Sequence, residues 1–154
     1  MKKTGNKGIT IIALIITIVV TLILITIGIE YGQEQLEKSK IEDLKTTMLL
    51  IKGKAQIVVD KEYFGETYTD DGMLAYADAA TYTANIPSAL QEDLTSTENL
   101  YIWEQTAMDN NNIETTITSQ KFFIINYETM EIYYSEGISL DGNTYYSLSQ
   151  LQGL

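Results

Sequence analysis

Lys7-Gly8-Ile9-Thr10-Ile11-Ile12-Ala13 opens an uncharged run that continues to Ile29, and the reading of this run decides the fold. No Asp, Glu, Lys or Arg lies between Lys7 and Glu30. As a helix, Ile9 to Ile29 would extend about 31 Å, close to the thickness of a bilayer's hydrocarbon core. A basic leader with Lys2, Lys3 and Lys7 precedes the run, and a polar stretch that keeps helical periodicity follows it. The pattern predicts one long N-terminal helix with the rest of the chain carried on it.

Composition narrows the chemistry. The 154 residues contain no cysteine and no histidine. That removes disulfides, thiolate metal sites and cysteine nucleophiles, together with the commonest general base. Charge is unevenly placed. Asp60 to Leu154 holds 16 acids against Lys61 and Lys121, a net of −14, whereas Glu30 to Val59 balances five acids with five lysines. So acidic a head is repelled by phosphate backbones, and no direct nucleic-acid binding is expected.

Three readings compete for residues 1–29. A secretory signal peptide has a shorter apolar core and a small-residue exit, and Thr26-Ile27-Gly28-Ile29-Glu30 offers none. A signal anchor fits the length, with the lysines holding the N-terminus in the cytoplasm. The third reading comes from the motif itself. Lys7-Gly8 followed by Ile9-Thr10-Ile11-Ile12 resembles the leader of type IV pilins and pseudopilins, and Ala13 stands where that family usually has Glu. The run also resembles divergent pilin-like chains of Gram-positive bacteria. The resemblance implies cleavage by prepilin peptidase between Gly8 and Ile9, N-methylation of the new terminus, and assembly with other pilin or pseudopilin subunits. Without the glutamate it implies a minor rather than a major subunit.

Within the run, Thr10, Ala13, Thr17, Thr21 and Gly28 fall on one side of a helix at 100° per residue. Two readings stay open for this strip. It is a helix–helix contact face, or its threonines bond back to their own helix.

Beyond Glu30, the residues Ile41, Leu44, Met48, Ile51, Ala55 and Val58 recur at spacings of three and four, an amphipathic seam that predicts burial on the molecule's own sheet. Leu50 and Ile57 lie on the opposite side. The organisation expected is a leader 1–8, a transmembrane or assembly half-helix 9–29, an amphipathic half-helix 30–59, and a globular head 60–154. The fold class expected is α+β, with the long helix packed on a small antiparallel sheet in a pilin-like plan.

In the head, Met73, Tyr76, Ala77, Ala80 and Ala84 have helical spacing, with Asp70 or Asp71 available as N-cap. Pro87 opens a short helix ending near Leu94. Strand signals mark Leu100–Trp103, Ile113–Ile117 and Phe122–Tyr127; the last is apolar on both faces. Glu128-Thr129 then turns the chain into Met130–Tyr134, and Asp141-Gly142-Asn143 into Thr144–Ser147.

Two ligand readings arise in the head. Tyrosines and the single Trp could form a sugar platform, although Tyr is also a good strand former. Calcium could be ligated by Asp70 and Asp71, or by Asp141 and Asn143, but neither set has a defined calcium-loop spacing. No other cofactor or metal is expected, and no catalytic constellation is present in the pattern.

The function expected is a structural subunit of a type IV pilus-like filament, or of a type II secretion or competence pseudopilus. The chain would first be a single-pass membrane protein with its head outside the cytoplasm, and then part of an extracellular filament. The alternative is an uncleaved membrane-anchored surface protein with a small ligand- or protein-binding head.

Overall fold

The computed structural model describes residues 11–65, 73–94, 99–115, 118 and 120–154. It is an α+β protein in which helices accompany one five-stranded antiparallel sheet. The chain divides into two compact units, one ending at Lys40 and the other running from Ile41 to Leu154. Helix α1, Ile11–Tyr63, is 53 residues long and contributes to both.

In the second unit the three-and-four spacing of the seam does what the pattern requires. Ile41, Met48, Ile51, Ala55 and Val58 are buried and Leu44 is half-buried, while Leu50 and Ile57 on the other side are exposed. Phe64 N–H donates to the carbonyls of Asp60 and Lys61 and closes the last turn. Gly65 follows at φ 76°, a left-handed conformation that ends a helix at little cost for a residue without Cβ.

The sheet is an up-and-down meander in the order β1-β2-β3-β4-β5. Its strands are β1 Met73–Ala75, β2 Leu100–Trp103, β3 Phe123–Asn126, β4 Glu131–Leu140 and β5 Asn143–Ser147. Neighbouring residues of a strand face opposite sides of the sheet, and Phe123, Ile124 and Ile125 are all buried, so the sheet is covered on both faces at β3. The β3–β4 turn is set by Asn126, whose Oδ1 accepts from Glu128 N–H at 2.9 Å and Thr129 N–H at 3.0 Å. Asp141 and Gly142 both have positive φ, 50° and 81°, as the tight turn of the β4–β5 hairpin needs. Between Tyr133 and Ile138 the β4–β5 register shifts. Gly137, at φ 65°, lies in that irregular stretch against Thr144 and Tyr146.

One buried cluster joins the seam of α1 to the sheet and to the short helices α2 Ala80–Thr83, α3 Ser88–Asp93, α4 Gln105–Asn110 and α5 Leu148–Gln152. Met48, Ile51 and Ala55 share it with Leu90, Ile102, Trp103, Met108, Ile124, Ile132 and Leu148. A capping box starts α5: Ser147 Oγ accepts from Gln150 N–H, and Gln150 Oε1 accepts from Ser147 N–H.

Two expectations are corrected. Met73–Ala75 is not helical but pairs with β2, Leu74 against Ile102, and is followed by a 3₁₀ turn at Tyr76–Asp78 before the single turn of α2. The half-buried side chains of this segment serve the sheet edge, which outweighs a helical spacing built largely of alanines. Ile113–Thr115 forms no strand; the chain makes α4 after β2 instead, and Ile113 is simply buried in the core. Residues 116 and 117 of that expected strand and the candidate cap residues Asp70 and Asp71 lie outside the described residues.

Candidate functional site

The unusual surface of this chain is the N-terminal half of α1. The β-branched isoleucine, valine and threonine that make up most of this segment are weaker helix formers than alanine or leucine, yet the segment is helical from Ile11 onward. Every described side chain from Ile11 to Ile25 is exposed, the large ones by about half or more, and none is charged. A helix that is apolar on all sides belongs inside something, and none of the described residues supplies the cover.

The residues of the small-side-chain strip divide as follows. Thr17 Oγ1 donates to the Ala13 carbonyl at 2.8 Å, and Thr21 Oγ1 donates to the Thr17 carbonyl at 2.7 Å. Both hydroxyl protons are thus satisfied within the helix, which allows them to sit in an apolar medium without a polar neighbour. Back-bonding is thus present at Thr17 and Thr21 of the strip. Lys7, Gly8, Ile9 and Thr10 lie outside the described residues, as does the side chain of Ile12, while Gly28 is in the helix. Ile11 and Ala13 are in the helix.

Among the described residues, no helix is long and apolar enough to cross a membrane. The continuous stretch whose side chains are described, Ala13 to Ile25, rises about 20 Å, short of the roughly 30 Å of a hydrocarbon core.

Among the described residues the head's tyrosines form no common platform. Trp103 is fully buried, and its Nε1–H donates to Tyr127 Oη at 3.0 Å; Tyr127 Oη donates in turn to Met73 Sδ at 2.9 Å. Tyr101 meets Tyr127 edge-on at 89°, and Tyr82 meets Phe122 at 78°, so these rings present no common flat face. Tyr76, Tyr82, Tyr133, Tyr134, Tyr145 and Tyr146 are half-buried with their ring bodies against the core.

Asp141 and Asn143 flank the exposed β4–β5 turn, and Asp70 and Asp71 lie outside the described residues. Among the described residues no three acidic side chains gather into a metal-holding group. The acids form smaller polar contacts. Glu136 accepts from Lys121 Nζ at 3.0 Å and from Tyr134 Oη at 2.9 Å. The Lys121 ammonium, helped by the tyrosine hydroxyl, holds the Glu136 carboxyl below its usual range, while partial desolvation pulls the other way. Burial, then the bond to Glu136 and its charge, push Tyr134 up to about 12. Sequence reasoning missed this trio although the β3–β4 hairpin sets it: Lys121 stands opposite Glu136 two residues beyond the Phe123–Tyr134 pair, in the same register.

Comparison with protein-family models, curated proteins and solved structures finds no match to this chain.

Proposed function

We propose that the chain is a structural subunit, minor rather than major, of a membrane-derived filament of the type IV pilus or pseudopilus kind, cleaved between Gly8 and Ile9 by a prepilin peptidase. The observation that carries this reading is the bare apolar surface of α1 from Ile11 to Ile25, joined to a separately packed acidic head. Such a helix needs lipid before assembly and like-shaped helices after it, and each medium buries the same side chains. Covering a side chain of this size fully is worth about 1.5–3 kcal/mol, so the eleven large ones exposed between Ile11 and Ile25 fix where the helix resides. The motif Gly8-Ile9-Thr10-Ile11-Ile12 supports cleavage at Gly8, and Ala13 in place of an acid supports the minor role.

The internal hydroxyl bonds of Thr17 and Thr21 suit equally a helix that stays in lipid. They support the second reading, an uncleaved single-pass anchor displaying the head. One measurement separates the two. The intact mass of the native protein, from cells with and without prepilin peptidase, should correspond to a chain beginning at Ile9 only when the peptidase is present. A mass that retains Lys2, Lys3 and Lys7 in both strains overturns the filament reading.

A further inference from the structure

Five methionines occur in the chain, and four of them are among the described residues. Met48 and Met108 are fully buried, whereas Met73 and Met130 are half-buried and open to a small reagent. The Met73 sulfur differs in having a fixed partner: it accepts from Tyr127 Oη at 2.9 Å. Tyr127 is held at three further points. Its Oη accepts from Nε1–H of the fully buried Trp103 at 3.0 Å, its ring meets Tyr101 edge-on at 5.2 Å, and its N–H donates to the Asn99 carbonyl at 2.9 Å. Met73 has far less behind it. It opens β1, a three-residue strand at the edge of the sheet, where it pairs with Trp103 of β2. A change at the sulfur therefore acts on β1 and not on Tyr127.

The geometry points to Met73 as a modification site, oxidised to the sulfoxide by a peroxide, with release of β1 from the sheet as the consequence. In the step the thioether sulfur attacks one oxygen of hydrogen peroxide. An S–O bond forms and the O–O bond breaks; the proton on the transferred oxygen passes to the departing hydroxide, which leaves as water. Sulfur gives up two electrons and the peroxide takes them. The acceptor is then the new oxygen. If Tyr127 bonds to it, that O–H···O contact alone takes about 2.7 Å. The sulfur, one bond further back, is forced beyond its present 2.9 Å. If the oxygen points elsewhere, the Tyr127 hydroxyl faces an oxidised sulfur that no longer accepts well, and a partly buried donor is stranded. Both outcomes load the same three-residue strand. Its release uncovers the edge of β2, with a row of unpaired backbone groups. The inference does not depend on how the N-terminal helix is used.

The test treats the full-length protein in detergent with hydrogen peroxide and reads peptide masses and amide hydrogen exchange. Met73 should gain one oxygen, and the amides of 73–75 and 100–103 should then exchange on the order of tenfold faster, the scale set by one stranded donor. Emission from Trp103, the single tryptophan, should change in step. Methionine sulfoxide reductases should restore both signals. Met73→Leu should show no response to peroxide, whereas Met130→Leu should respond as the native chain does. The repair step uses the native sequence, so the test holds even where Met73→Leu itself loosens β1. Met73 sulfoxide with unchanged exchange in β1 and β2 would overturn the proposal. So would a Met73 that stays reduced while Met130 is oxidised, or an undiminished response in Met73→Leu.

Discussion

Ser135 shows how much one small polar side chain can hold in the irregular part of β4. It is buried, and its Oγ accepts from Phe122 N–H at 2.8 Å while donating to the Gln120 carbonyl at 3.1 Å. The backbone at Ser135 adds a further bond, N–H to the Phe122 carbonyl at 2.9 Å. Ser135→Ala removes the hydroxyl and strands a buried N–H, so denaturant unfolding should show a loss of about 1–3 kcal/mol. An unchanged midpoint would mean that water replaces the hydroxyl. The neighbouring Tyr134 makes a pH prediction. Its pKa is raised in the fold to about 12, whereas the unfolded chain ionises near 10. Stability from this group is therefore complete below pH 10 and is lost as pH rises toward 12. Tyr76, Tyr82 and Tyr133 are raised as well and add to the same loss. Tyr134→Phe should flatten the alkaline decline in melting temperature without removing it. Glu136 acts at the opposite end. Its depressed pKa gives stability that is present above the normal carboxylate range and lost as pH falls through the folded value, and half-exposure keeps that contribution small.

At the scale of elements, the seam of α1 was legible because helical burial follows a period of 3.6, and Ile41, Met48, Ile51, Ala55 and Val58 keep that period. Met48→Ala should cost about 2–5 kcal/mol, and Leu50→Ala on the opposite face less than about 0.5 kcal/mol in a dispersed monomer. Equal losses from the two substitutions would mean that the helix is covered on both sides. Strands β2 and β3 and the two hairpins were legible for similar reasons: continuous apolar runs, and turn residues at Glu128-Thr129 and Asp141-Gly142. β1 and α4 were not. β1 is three residues long, too short for a period to emerge, and it is a strand only because β2 offers it an edge. α4 is a six-residue helix whose Ala107 and Met108 enter the core from an otherwise polar stretch. The shift inside β4 was also hidden. Gly137 has a left-handed φ, and a Cβ there would come within 2.7 Å of Thr144 and 2.8 Å of the Tyr146 ring. Gly137→Ala should accordingly lower stability by roughly 2 kcal/mol or more, read from thermal or denaturant unfolding. A neutral result would show that the hairpin can slide to relieve the contact. Of the candidate site, the sequence displayed the apolar run and the outward Leu50 and Ile57; the trio of Lys121, Tyr134 and Glu136 follows from the register of the predicted β3–β4 hairpin, which sets Lys121 opposite Glu136.

For the whole molecule, the division of the chain between Lys40 and Ile41 separates two opposite solubility demands. Before it, from Ile11 to Ile25, lies an apolar helical surface that none of the described residues covers. After it, Ile41 to Leu154 holds 18 acids and five lysines, a net of −13, around a core that includes its own portion of α1. Charge of that size keeps a unit dispersed in water and weakens it by self-repulsion. If the core of the second unit is complete in itself, a chain consisting of residues 41–154 should be monomeric without detergent. It should unfold in one cooperative step at nearly the midpoint of the full-length protein in detergent. Because the repulsion is among exposed carboxylates, moderate salt should raise that midpoint, with most of the rise complete once the screening length falls to about 8–10 Å. The full-length chain should show the same salt response and, in addition, a strict need for detergent or lipid. Aggregation of the 41–154 chain, or the loss of its cooperative step, would place part of the stabilising contact before Ile41 and would contradict the separation on which a membrane-held helix carrying an independent head depends.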